Sequence, residues 1–306
     1  MSLTWASEFD PLITHRNDQT FGLTPHSDRL ESQGNLALPL EEEKEFLQQL
    51  SEFELGRFLL TNKGLNGYWT AYIIIHGPQK TDLHPLENWF LHSAPAVRAT
   101  QERYQIFKIH LQKHVCNGVK MASVPCGLMD DLLTLDYSDI RNVELTGIDL
   151  DENSVQLALA NAKKCGIENV ECRVADAWDL GVMDTYDLIT SNGLNIYQPD
   201  NTKVINLYKE FYKALKVGGT LITSFLTPPP SLCAESTWEN FHMGDVIKQK
   251  AIFADIIQVG WQAFRTELQT RQQLESAGFE VLEVIYDSQG MFPTIVARKL
   301  AARITS

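Results

Sequence analysis

Two short stretches of this chain carry residue types suited to holding a nucleoside. In the first, Val119 to Asp131, an apolar segment runs into the turn Pro125-Cys126-Gly127. In the second, Gly147-Ile148-Asp149-Leu150-Asp151, an acid ends another apolar segment, 22 positions after Gly127. That distance is what a strand–helix–strand unit needs to bring a carboxylate to a ribose edge. A glycine in the first turn lets a ligand approach the backbone closely. Asp149 could then accept hydrogen bonds from both ribose hydroxyls. The plainer role for Asp149 is to cap the following helix.

Two further strand ends extend the pattern. Ala175-Asp176-Ala177-Trp178 offers an acid and a backbone N–H side by side. Asp176 is expected to accept from an adenine amino group and the Ala177 N–H to donate to a ring nitrogen, with Leu150 and Trp178 sandwiching the base. Ser191-Asn192-Gly193 ends a fourth strand with small residues and keeps that side of the pocket open. Ligands of open α/β sheets sit outside the carboxyl ends of the strands, where all four stretches fall.

The elements that must position these residues follow from periodicity. From Val119 onward, apolar strands alternate with amphipathic helices: strands at 119–124, 143–148, 170–175, 186–190 and 220–225, and helices from 130, at 153–164 and at 204–215. This alternation predicts a doubly wound, mostly parallel sheet. A helix at 266–277 precedes two closing strands, 279–286 and 294–298. Their connection, which contains Gly290, is too short for a parallel crossover, so they are expected to pair antiparallel.

The first ~115 residues read as mostly helical. Residues 1–40 hold Pro11, Pro25, Pro39, Gly22 and Gly34 without a sustained period and are expected to be an irregular arm. Residues 41–62 read as one helix opened by acids. Residues 66–75 are aromatic, then β-branched, and fit either a strand or a buried helix. Residues 85–92 are short and apolar. Residues 99–115 place Tyr104, Phe107, Leu111 and Val115 on one helical face. The domain division expected is 1–115 as an arm and helical cap and 116–306 as the α/β domain. Within the latter, the proline- and aromatic-rich connection 228–262 reads as a lid.

Here the sequence resembles the class I S-adenosylmethionine-dependent methyltransferases over about residues 115–300. Besides the strand ends, the resemblance rests on the Leu215-Lys-Val-Gly-Gly-Thr-Leu221 turn and on the Glu275-to-Glu283 helix-to-strand passage. It implies a seven-stranded sheet with an antiparallel last strand and S-adenosylmethionine as cofactor. It also implies site roles. Pro125, Cys126 and Gly127 would border the methionyl part and Asp149 the ribose. Leu150, Asp176, Ala177 and Trp178 would hold the adenine, with Asn192 and Gly193 as the pocket floor. The chain departs from the family where an acid usually stands, at Ser123, and where glycines stand, at Pro125 and Met129. Asp130 or Asp131 could supply the missing acid.

A nicotinamide-dependent oxidoreductase shares the ribose acid but needs a glycine-rich turn for a pyrophosphate. Pro125, Met129 and the paired acids Asp130-Asp131 do not suit an anion. A third reading, a non-catalytic cofactor-binding partner protein, requires a filled acceptor pocket. Methyl transfer depends chiefly on proximity and orientation, so no catalytic base is expected to stand out. His76, His84, His92, His110 and His114 show no metal-ligand spacing. Tyr68, Trp69 and Tyr72 read as core more than as cofactor cover. Arg98 and Arg103 could meet the methionyl carboxylate, though a solvated helix face is the expected place for both. Tyr197 would face the acceptor.

A net charge of −13 argues against a nucleic-acid partner. Five cysteines, an odd number without paired spacing, point to a reduced, cytoplasmic chain without a structural metal. Residues 1–5 show no start of a signal peptide, and no segment is long and apolar enough to span a membrane. The expected partner is a small-molecule methyl acceptor. The aromatic cap could also serve a homo-oligomer interface.

Overall fold

Side chains of successive residues point to opposite faces of a strand, and this alternation builds two cores here. In a computed structural model that describes residues 22–300, Met121, Leu145, Leu188 and Ile222 enter one core, while Ala122, Ile148, Ile189 and Leu221 enter the other. A sheet apolar on both faces needs helices on both. The strands are β1 (Lys120–Ser123), β2 (Glu144–Asp149), β3 (Val170–Val174), β4 (Tyr186–Ser191), β5 (Leu215–Ser224), β6 (Phe279–Ile285) and β7 (Thr294–Lys299). They form one sheet in the order β3-β2-β1-β4-β5-β7-β6. All ladders are parallel except those of β7, which runs antiparallel to both β5 and β6. This is the doubly wound seven-stranded architecture with an antiparallel last strand.

One departure concerns Leu215–Leu221, expected as a turn before the fifth strand. It lies inside β5 as a bulge: Tyr186 pairs with Leu215, but Leu188 pairs with Thr220. Gly218, at φ +81°, supplies the backbone conformation that the extra residues require.

The N-terminal part is helical: α1 (Thr24–Ser32), α2 (Leu40–Leu50), α3 (Glu54–Asn62), α4 (Gly67–Ala71, continued by a π-turn at Tyr72–His76), α5 (Pro85–His92) and α6 (Pro95–Gln112). The expected irregular arm is corrected by α1, whose polar sequence buries only Leu30 and so carried no apolar period. Residues 33–39 of that arm are irregular, as expected; residues 1–21, with the signal-peptide reading, lie outside the described residues. The single helix expected at 41–62 breaks at Ser51. The two pieces pack so closely that a Cβ on Gly56 would stand 2.1 Å from the Leu50 carbonyl oxygen. The strand alternative for 66–75 falls to a helix, started by Asn66, whose side chain accepts from the Trp69 N–H. Trp69 and Tyr72 then face the cap core, and the Tyr72 hydroxyl donates to Glu87 at 2.7 Å.

The connection expected as a lid forms α10 (Met243–Lys250) and a π-turn at Ala251–Ile257. Ile252, Phe253, Ile256 and Ile257 are buried in the same core as Leu50, Leu59 and Phe90. Polar bonds fasten the segment further. Arg29 donates to the Asp255 and Ile256 carbonyls, Trp89 Nε1 to Asp245 at 2.7 Å, and the Ala96 N–H to Gln249 at 2.6 Å. The remaining helices are α7 (Asp130–Leu133), α8 (Glu152–Lys164), α9 (Asn201–Ala214) and α11 (Glu267–Ser276).

Candidate active site

The first turn is built by backbone bonds between neighbouring strand ends. The Cys126 N–H donates to the Ile148 carbonyl at 2.8 Å, and the Gly127 N–H donates to Asp149 Oδ2 at 2.9 Å. Asp149 Oδ1 accepts from the Asp151 N–H at 3.0 Å. The cap of α8 is Asp151, which accepts from the Asn153 and Ser154 N–H groups, so Asp149 is not spent on capping. Gly127 has φ +49°, and a Cβ there would lie 3.3 Å from Gly67 Cα at the start of α4. The cap therefore rests directly on the turn.

At Ser123, where the resemblance leads one to expect an acid, a carboxylate approaches from the next helix turn. Ser123 Oγ donates to both carboxylate oxygens of Asp131, at 3.1 and 2.9 Å. Of the two alternatives, Asp131 thus stands at the end of β1, and Asp130 lies beside it. Burial raises the Asp130 carboxyl to about 7, helped by the neighbouring charge of Asp131. Burial likewise raises Asp131 to about 6, opposed by the Ser123 bond. Asp149 is also raised by burial, against the N–H bonds from Asp151 and Gly127. The Cys126 thiol is pushed up by burial and stays protonated.

A cavity of about 620 Å³ opens between these strand ends and the cap. Pro125, Cys126, Gly127, Asp149, Leu150, Asn192 and Gly193 line it, as do Asp130 and Asp131. From the cap come Phe58, Asn66, Gly67, Thr70 and Phe90, and from the 228–262 segment Phe253 and Trp261. Its size and mostly apolar walls are those of a small-molecule site. Tyr197 lines it too, with its ring edge-on to Trp261 at 6.2 Å. Asn192 Oδ1 is buried and has no hydrogen-bond partner among the described residues.

Asp176, Ala177 and Trp178 are not among the lining residues. Asp176 is exposed and accepts from the Trp178 N–H at 2.9 Å. The Trp178 indole donates to the Lys203 carbonyl at 2.8 Å and packs on the sheet core. Leu150, on the cavity side, is 67% exposed.

Sequence reasoning misplaced one residue. Arg98 is exposed as expected, but Arg103 is only 5% exposed and lines the cavity. The signal was present. Ala99, Arg103, Phe107 and Leu111 recur every four positions, so Arg103 lies on the apolar face of α6. Among the described residues no cluster of three or more His, Cys, Asp or Glu side chains could hold a metal, and no helix is long and apolar enough to cross a membrane.

A family model described as a methyltransferase domain matches residues 117–272. Among solved structures, the chain is similar to one described as a possible exported protein from Bordetella parapertussis. The two share 44% identity, with 91% of this chain and 94% of that one covered, at a TM-score of 0.86. It is also similar to a candidate O-methyltransferase from Nostoc punctiforme, at 16% identity and a TM-score of 0.51, covering 79% of this chain and 69% of that one. The second likeness speaks for the fold alone. No curated protein matches the chain.

Proposed function

Because this chain belongs to the methyltransferase-domain family, we propose that it methylates a small molecule inside the cavity, with S-adenosylmethionine as donor. The observation that carries this reading is the pair of acids at the start of α7. Asp130 and Asp131 face the cavity, and neither is in an ion pair among the described residues. Burying unpaired carboxylates is unfavourable unless a cation joins them. A donor with an ammonium and a sulfonium fits such a site, and a pyrophosphate does not.

When bound, S-adenosylmethionine would supply an electrophilic methyl carbon, to which an acceptor lone pair bonds in line as the carbon–sulfur bond breaks and S-adenosylhomocysteine leaves. The chain's own residues hold and shield. Asp131, braced by Ser123, and Asp130 meet the ammonium. Asp149 keeps lone pairs beyond its two N–H bonds and can accept the ribose hydroxyls. Pro125, Cys126 and Gly127 border the methionyl part, and Asn192 and Gly193 form the floor. Adenine lies at the open side near Leu150, with Asp176, Ala177 and Trp178 at its outer edge. The cap aromatics exclude water. Among the described residues no histidine lines the cavity, so orientation is the main contribution of the protein.

The open volume between Asn192 and the cap weighs against a non-catalytic partner protein. The odd, unpatterned cysteine set supports a reducing, cytoplasmic setting. The test is calorimetric titration with S-adenosylhomocysteine, with NAD as the parallel control. Micromolar binding of the first alone is the expected result; binding of NAD alone, or of neither, would sink the proposal.

A further inference from the structure

Beyond the acids, the cavity holds one cation. Arg103 is the only Lys or Arg among its lining residues, as far as the described residues go. The guanidinium is enclosed, and its Nε has no hydrogen-bond partner among the described residues. Nη1 makes a long bond of 3.4 Å to Ser224 Oγ. One face lies 4.6 Å from the centroid of the Phe292 ring. The nearby acid Asp287 is already engaged, accepting from the N–H groups of Gln289, Met291 and Phe292. Burial holds the guanidinium down to about 10, against the pull of Asp287, so it remains a cation at neutral pH. A buried charge with a free donor and no close counterion is unfavourable on its own. An anion arriving in the cavity would relieve that state with charge-assisted bonds.

Sheet order decides which anion. Asp149 belongs to β2, and the acids belong to α7, which follows β1. Arg103 instead sits against Ser224 at the end of β5 and Phe292 just before β7, across β4. A Cβ built on Gly193, at the end of β4, would come within 3.9 Å of its Nη1. The donor proposed above extends from β2 to the floor at Asn192 and Gly193, and Arg103 lies past that floor. The walls on its side are apolar: Ile196, Phe253, Trp261 and Phe292. Resting on that reading of the donor, we propose that the methyl acceptor is a monoanion, a carboxylate carried on an apolar body, and that Arg103 selects it. One cation among apolar walls suits a single negative charge better than a phosphate.

The experiment uses a panel of carboxylates with apolar bodies, 3-phenylpropionate, 4-hydroxycinnamate and octanoate, each against its own amide. Binding is read by quenching of tryptophan fluorescence, with and without S-adenosylhomocysteine. At least one acid is expected to bind about tenfold tighter than its amide. Arg103→Gln is expected to remove that preference and Arg103→Lys to keep part of it. S-adenosylhomocysteine affinity should stay within about twofold in both variants. A panel in which no acid outbinds its amide would overturn the proposal. So would an Arg103→Gln protein that stays folded but loses S-adenosylhomocysteine, because the guanidinium would then serve the methionyl carboxylate. If the unaltered protein ignores S-adenosylhomocysteine, the donor reading fails. The acid–amide comparison without it still decides what Arg103 selects.

Discussion

The two ends of the cavity reach their charge by different routes. At one end, Asp130, Asp131 and Asp149 come from a single strand–helix–strand unit, and backbone bonds from Gly127 and Asp151 lock Asp149 in place. At the other end, Arg103 comes from α6, far from β5 and β7 in sequence, and reaches the cavity only because that helix packs on them. The acidic end is a local motif and was legible as spacing. The cationic end is a product of packing and was not. The contrast matches the two roles proposed above: a charge set built into the fold's own turn for the donor, and one brought by a cap helix for the acceptor.

The comparison breaks most readily at Asp131. Asp131→Asn keeps the shape but removes a charge from a buried site, and should weaken S-adenosylhomocysteine binding by about 1.5–3 kcal/mol, tenfold or more. Calorimetry that finds no change would move the ammonium elsewhere. Asp149→Ala removes two backbone bonds along with the proposed ribose contacts, and should lower the same affinity by about 1–3 kcal/mol. Asp149→Asn, measured alongside by thermal unfolding, separates loss of ligand from loss of the turn.

A smaller effect follows from pH. Asp130 and Asp131 titrate near 7 and 6 in the folded chain, above the ordinary value of 3.8. Between about pH 4 and 7 the folded state therefore holds protons that the unfolded state has released, so ligand-free stability falls as pH rises through that window. A bound cation favours the ionised pair. Affinity for S-adenosylmethionine should rise severalfold from about pH 5.5 to 8, with proton release at the lower end visible in buffers of different ionisation enthalpy. A flat profile would show that the acids do not meet the cation. The smallest effect belongs to Asp176→Ala. That side chain is exposed and outside the cavity lining, so affinity should change by no more than about 0.5 kcal/mol. A loss as large as that of Asp149→Ala would put the adenine deep against the third strand end.

Legibility followed physical locality elsewhere too. The alternation of Met121 with Ala122 and Leu188 with Ile189 announced buried strands, because each residue serves one face of one sheet. The helix at 24–32 was silent because only Leu30 is buried in it. The break at Ser51 was silent because it depends on how closely Gly56 approaches Leu50. The 228–262 connection announced its aromatics but not that they join the cap core, since Phe253 and Ile256 pack against residues such as Leu50 and Leu59, some two hundred positions earlier.

Sequence by itself determined the sheet, its antiparallel close and the strand ends that gather Gly127, Asp149 and Asn192, because these rest on period-two patterning and short-range turn chemistry. Tertiary structure alone decided three further matters. Asp131 accepts from Ser123 at the end of β1, the 228–262 segment both lines the cavity and is fastened into the cap core, and Arg103 is enclosed in the cavity. All three depend on which surfaces exclude water together, and for the 228–262 segment and Arg103 that is settled between elements distant in the chain.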